Sequence, residues 1–107
     1  MKKLLIILAL ASSYVQAETY EGYDAKELGY IVSTGGGCWG VDPEKNAEHG
    51  RLSSLLDVNL GIKFITTKDF SEEFKLEYAG SKAENSYIRR RKENWVEICE
   101  SFGDKYL

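Results

Sequence analysis

The chain has 107 residues, 29% of them charged, with 17 acidic against 14 basic side chains and a net charge of −3. That length allows one domain with an adequate but thin core, and the acidic balance excludes a general electrostatic pull towards nucleic acid or anionic lipid. One histidine and two cysteines are too few for a structural zinc site.

Lys2 and Lys3 precede an unbroken apolar run over residues 4–11, and Val15-Gln16-Ala17 ends on a small residue. A basic start, a short apolar core and a small-residue cleavage site make a secretory signal peptide, here of bacterial type. The run is too short to span a bilayer, which takes about 20 apolar residues. Cleavage is expected after Ala17. The expected destination is the periplasm or the medium, with one domain over residues 18–107 and no stable membrane insertion once the signal is gone. Cleavage takes Lys2 and Lys3 from the 14 basic residues and none of the 17 acidic ones, so the mature chain carries −5. An oxidising compartment permits a disulfide, and Cys38 with Cys99 is the one intramolecular pairing open. Closing that loop of about 60 residues stabilises the fold by about 4 kcal/mol on the chain-entropy account.

Residues 18–23 read as a loose lead-in. Asp24 then stands as an N-cap with Glu27 three residues on, and Tyr23 and Leu28 hold the staple positions. Leu28, Ile31, Val32, Gly35, Cys38 and Trp39 follow at spacings of three and four, which marks one helix face. Gly35, Gly36 and Gly37 oppose this, because each costs about 1 kcal/mol in a helix interior. Either a helix covers residues 25–39, or it stops near Ser33 and the glycines form a loop. The unbroken apolar phase favours the helix, with glycines where a neighbour comes close.

Asp42-Pro43-Glu44 joins an N-cap, a proline at the first helical position and a first-turn acid. Leu52, Leu55, Leu56 and Leu60 keep helical spacing up to Gly61, a candidate C-terminal cap. A second helix is expected over residues 43–60. Residues 62–67 form the one β-type run. With no second run to pair with, it is expected as an extended connection burying Phe64 or Ile65. Asp69 with Glu72 repeats the capping-box pattern, and Phe70, Phe74 and Tyr78 line a third helix reaching about residue 83. A fourth resumes near Ser86 and keeps Ile88, Arg91, Trp95, Ile98, Cys99 and Phe102 in phase until Gly103. The expected fold is all-α, a small single-domain bundle of about four helices. One long-range disulfide, Cys38–Cys99, staples it, with Trp39 and Trp95 in the core beside the bridge.

Chemistry-bearing residues are sparse. His49, beside Glu48 and downstream of Cys38, allows a Cys–His nucleophile. A bridged Cys38 removes that nucleophile, and His49 is expected on the solvated face of the second helix. Asp57-Val58-Asn59 opens like a calcium loop, but its twelfth position is Lys68 rather than an acid. Glu72, Glu73 and Glu77 read as solvated surface acids rather than a hydrolytic carboxylate pair. Gly35-Gly36-Gly37 lacks the lysine and hydroxyl residue of a phosphate loop. No catalytic, cofactor or metal site is therefore expected. Arg89-Arg90-Arg91-Lys92 is the one strong local charge. Arg91 shares the core phase, so its stem is expected along the core with its head in water. Arg89, Arg90 and Lys92 are expected to face outward as a possible surface for an acidic protein or an anionic envelope polymer.

The gross plan resembles two classes of small periplasmic protein in architecture, though in no sequence motif. They are the immunity proteins that neutralise cell-wall hydrolases and the acid-activated chaperones. Gly37-Cys38-Trp39 departs from the order expected around the first cysteine of the chaperones. The expectation is an exported, non-enzymatic interaction module that binds another envelope or extracellular protein, as an inhibitor or immunity-type factor. The alternatives are an acid-stress chaperone and a small secreted hydrolase using His49.

Overall fold

A computed structural model describes residues 18–107, so the export signal expected over residues 1–17 lies outside the described residues. Five helices follow one another: α1 Ala25–Val41, α2 Ala47–Thr66, α3 Glu72–Glu84, the single-turn α4 Tyr87–Arg90, and α5 Trp95–Tyr106. The fold is an all-α bundle, with no strand element among the described residues.

Helix α1 is the axis, and α2, α3 and α5 all pack against it. Asp24 caps it as its sequence implies, accepting from the Glu27 N–H at 2.8 Å. The helix then runs straight through the three glycines. Close neighbours explain why they are tolerated. A Cβ at Gly35 would stand 2.8 Å from the His49 carbonyl oxygen, and one at Gly37 would stand 2.7 Å from the Trp95 ring. A Cβ at Gly29 would collide with Ser81. Serines stitch these close crossings. Ser81 donates to the Lys26 carbonyl, Ser33 to that of Lys82 and Ser53 to that of Val32, each at 2.6 Å. The main core collects Leu28, Ile31 and Val32 from α1, Leu56 and Leu60 from α2, Phe74 and Tyr78 from α3, and Phe102 from α5.

Several boundaries differ from the sequence expectation. The Asp42-Pro43-Glu44 signal makes a turn over residues 43–46, in which the Asp42 side chain accepts from the Lys45 N–H at 3.1 Å. Regular α2 begins after it, at Ala47. Gly61 is no cap, and the β-type run is helical to Thr66. The reason is tertiary. Continuing the Leu56 and Leu60 phase brings Phe64 edge-on to Phe70, Phe74 and Tyr78, at 5.5, 6.1 and 5.8 Å between ring centroids. That packing outweighs local β preference, and Ile65 is left outside. Ser71, not Asp69, caps α3, accepting from the Phe74 N–H at 3.1 Å.

The lead-in is anchored rather than loose. Glu18 accepts from the Ser71 N–H at 2.9 Å, an anion at a helix N-terminus. Tyr20 and Tyr23 exchange backbone hydrogen bonds around Glu21 (φ 54°) and Gly22 (φ 86°). Two left-handed central residues make a type I′ turn, which Gly22 favours.

The expected fourth helix is two. It breaks at residues 91–94, where Asn94 recaps the chain by accepting from the Glu97 N–H at 3.3 Å. Gly103 lies inside α5 rather than ending it.

Cys38 and Cys99 are bridged, 5.7 Å apart at Cα. With Trp95 and the flanking Ile98 they form a second, smaller core. Trp39 does not join them and is 51% exposed. It stands one residue, or 100°, past Cys38 around the helix. That direction lays its ring over Gly50, where a Cβ would come within 2.7 Å.

One polar clasp crosses from α2 to α3. Asp57 accepts from the Tyr78 hydroxyl at 2.5 Å and from Lys82 Nζ at 2.8 Å. Burial pushes the Asp57 carboxyl up, but the two hydrogen bonds and the Lys82 charge outweigh it and hold its pKa below the usual carboxylate range. Burial and the bond to Asp57 raise the Tyr78 hydroxyl.

Two measurements check this packing. In urea titrations, Gly35→Ala should destabilise by about 1–3 kcal/mol through overpacking. Gly80→Ala, on an open helix face where a Cβ meets nothing within 4 Å, should stabilise by about 0.5–1 kcal/mol. Equal effects would refute the close-approach role. For the clasp, a folded pKa below the unfolded one adds stability above the carboxylate range, and that stability is lost as pH falls through it. The stability gap between the parent and Asp57→Asn should therefore narrow between about pH 5 and pH 2. A gap constant across that range would count against the clasp.

Candidate functional site

The basic run is split by the end of α4 and the turn after it. Arg90, expected to face outward, points inward, with its side chain only 14% exposed. Its Nη1 donates to Thr34 Oγ1 at 3.2 Å and to Asn85 Oδ1 at 3.4 Å. Nε and Nη2 both reach the Glu93 carboxylate at 3.3 Å. The guanidinium also lies over the Tyr30 and Trp95 rings, at 5.5 and 5.3 Å from their centroids. Trp95 Nε1 returns the tie by donating to the Arg90 carbonyl at 2.9 Å. A planar fork with five donors suits such a place and an ammonium does not. Arg91 is exposed instead of lying along the core. The helical phase that put it inside assumed a continuous helix, and the helix ends at Arg90.

This inward lock presents the rest of the corner to solvent. Ile88 is 76% exposed and Tyr87 is 45% exposed. Arg89, Arg91 and Lys92 are exposed, and none of the three forms an ion pair among the described residues. Tyr87 leans on Trp95, 5.3 Å between centroids. It also walls a hollow of about 400 Å³ whose floor is Gly36, Gly37 and Gly40 of α1. The three basic residues therefore neighbour, in sequence, two exposed apolar side chains, one of which borders the hollow. Arginine and tyrosine are residue types enriched where proteins make contact.

His49 departs most from expectation. It is buried, 8% exposed, and stacks on Phe102 at 5.2 Å between centroids. Its Nε2 lies 2.9 Å from the Cys99 carbonyl oxygen. A carbonyl only accepts, so this geometry assigns the proton to Nε2. Nδ1 is buried with no partner. The signal for burial was in the chain, since His49 shares the phase of Ser53, Leu56 and Leu60, all buried. A hollow of about 280 Å³ opens beside it, with Asp42, Lys45 and Glu100 among its lining residues. No carboxylate orients the imidazole, and Cys38 is held in the bridge, so the pair cannot act as a thiolate and its base.

Among the described residues no group of three His, Cys, Asp or Glu side chains could hold a metal ion. Asp57 of the calcium-like stretch is held by Tyr78 and Lys82. Glu72 pairs with Lys75 at 3.1 Å. A hollow of about 520 Å³ lies between the N-terminus of α1 and the end of α5. Two of its polar side chains engage each other, Tyr106 donating to Glu27 at 2.8 Å. Compared with known proteins, the chain matches no family model, no curated protein and no solved structure.

The inward lock has a measurable signature. Arg90→Ala should cost about 2–3 kcal/mol, through lost packing and unpaired buried partners. Arg90→Lys should recover little of it. Arg89→Ala, at an exposed position, should stay within about 0.5 kcal/mol of the parent. Similar losses at both arginines in chemical denaturation would contradict the assignment.

Proposed function

We propose that this chain is an exported, non-enzymatic interaction protein that docks an acidic surface of another envelope or extracellular protein, as an inhibitor or immunity-type factor. The observation that carries this reading is the α4 corner. Arg89, Arg91 and Lys92, without an ion pair among the described residues, follow exposed Tyr87 and Ile88 in the chain, which is otherwise acidic. The backbone of the corner is held from beneath by Arg90 and Trp95, so binding need not order the chain itself. Export is supported by the bridge between Cys38 and Cys99, because such bonds persist in oxidising compartments. No helix among the described residues is long and apolar enough to cross a membrane.

The test is capture from periplasmic extract on the immobilised oxidised chain, followed by titration of the recovered protein. A stoichiometric partner should be retained, with affinity falling as salt rises. The triple variant R89E/R91E/K92E should bind it at least about tenfold more weakly, or 1.4 kcal/mol. Equal affinity for the parent and the triple variant, or no partner at all, would overturn the proposal.

A further inference from the structure

A second surface lies on a different element. Leu55, Val58, Ile62 and Ile65 succeed one another along α2 at spacings of three, four and three, the a/d pattern of a helix-pairing seam. They are between 54% and 86% exposed. His49, Ser53, Leu56 and Leu60, the buried residues of α2, lie about 180° away around the helix at 100° per residue. Helix α2 therefore has one buried row turned to the bundle and an apolar row turned to solvent. A helix at the edge of a bundle ordinarily shows polar residues on its outer side.

The geometry points to a second copy of this chain as the occupant of that row, through antiparallel pairing of α2 with α2. The row is its own complement. A two-fold axis passing residue 60 sets Leu55 opposite Ile65 and Val58 opposite Ile62, so every apolar member meets another. The flanks obey the same symmetry, with Ser54 opposite Thr66 and Asn59 opposite Gly61. All four are uncharged and at most medium-sized, and a Cβ at Gly61 would meet nothing within 4 Å, so a second helix can come close there.

Charge argues in the same direction. Two copies of a chain carrying −5 repel each other unless they meet on a neutral face. Between Arg51 and Lys63 the one charged residue of α2 is Asp57, which is taken up by Tyr78 and Lys82 of α3. Seams that select a different partner carry charges at the flanking positions, and this one carries none. The area is of the right order. Side chains exposing roughly 100 Å² each give about 800 Å² over two copies, and the flanks bring the total towards the ~1,200 Å² of a small specific interface. The surface is distinct from the α4 corner, so the pairing does not depend on the proposed partner.

The experiment is sedimentation equilibrium on the oxidised full-length mature protein at about 1 µM to 1 mM, the range in which a small interface dissociates. The parent should pass from monomer to dimer. Val58→Lys and Ile62→Glu should each weaken association at least about tenfold. Both substitutions are at exposed positions, so circular dichroism and the melting temperature should stay near those of the parent. Mixing the two variants should restore a heterodimer, because the antiparallel axis sets position 58 of one copy against position 62 of the other. A parallel arrangement would give no rescue. A chain monomeric at every concentration would overturn the inference. So would a dimer indifferent to both substitutions, or a row that binds phosphatidylcholine vesicles in flotation without pairing.

Discussion

Helix α1 is surrounded by three others, and a surrounded helix has little room for side chains. Crossing distances of 8–10 Å are usual for helices in contact, and a closer approach requires glycine at the point of crossing. Gly29, Gly35 and Gly37 meet that demand against α3, α2 and α5 in turn, since a Cβ on any of them would press into Ser81, the His49 carbonyl or the Trp95 ring. The helix gives up intrinsic propensity at these positions and gains close packing on several sides. Its hydroxyls follow from the same closeness. At such separations a serine reaches the carbonyl of the next helix, and three serines do so.

The end of the bundle near Cys38 depends on different physics. Helix α4 buries none of its residues, so hydrophobic packing alone would not hold it. One guanidinium, one indole and one disulfide do so. Arg90 reaches down to fully buried Thr34, Trp95 bonds back to the Arg90 carbonyl, and Trp95 lies against the bridge. The three are mutually supporting: the bridge fixes the start of α5, that fixes the indole, and the indole fixes the turn carrying Arg90.

How far the chain could be read without its structure depends on the kind of signal. Periodicity was reliable wherever a long element kept one phase, and it carried α1 through its glycines. The same rule, followed strictly, would have placed His49 with Leu56 and Leu60. The expectation of a solvated His49 departs from that phase. Local signals failed where long-range contacts decide. Residues 62–67 are β-type in composition, and only Phe70, Phe74 and Tyr78, which are distant in sequence, make them helical. Asp69 and Ser71 are both plausible caps, and Glu18 at the far end of the chain favours Ser71. In the basic run, assuming one helix instead of two exchanged the roles of Arg90 and Arg91, so that Arg90, expected to face outward, is the one that points inward. On α2, Leu55 keeps helical spacing with Leu52 and Leu56, yet it stands 100° from Leu56 and is exposed.

The corner and the bridge are linked through Trp95. A buried disulfide that closes a 61-residue separation restrains the unfolded chain most of all. In this fold it also restrains a local surface. Without it, Trp95 and Cys99 would remain near Cys38 through packing in a cluster of three buried residues, the His49 bond to the Cys99 carbonyl and the seating of Phe102 in the main core. The turn between α4 and α5 would then lose one restraint and keep those that Arg90 makes to Thr34, Asn85 and Tyr30. The basic side chains would remain, on a backbone less tightly held. Spacing, rather than charge alone, lets a small patch discriminate between acidic surfaces. Oxidation of the thiols therefore adds to the corner's restraint as well as to global stability.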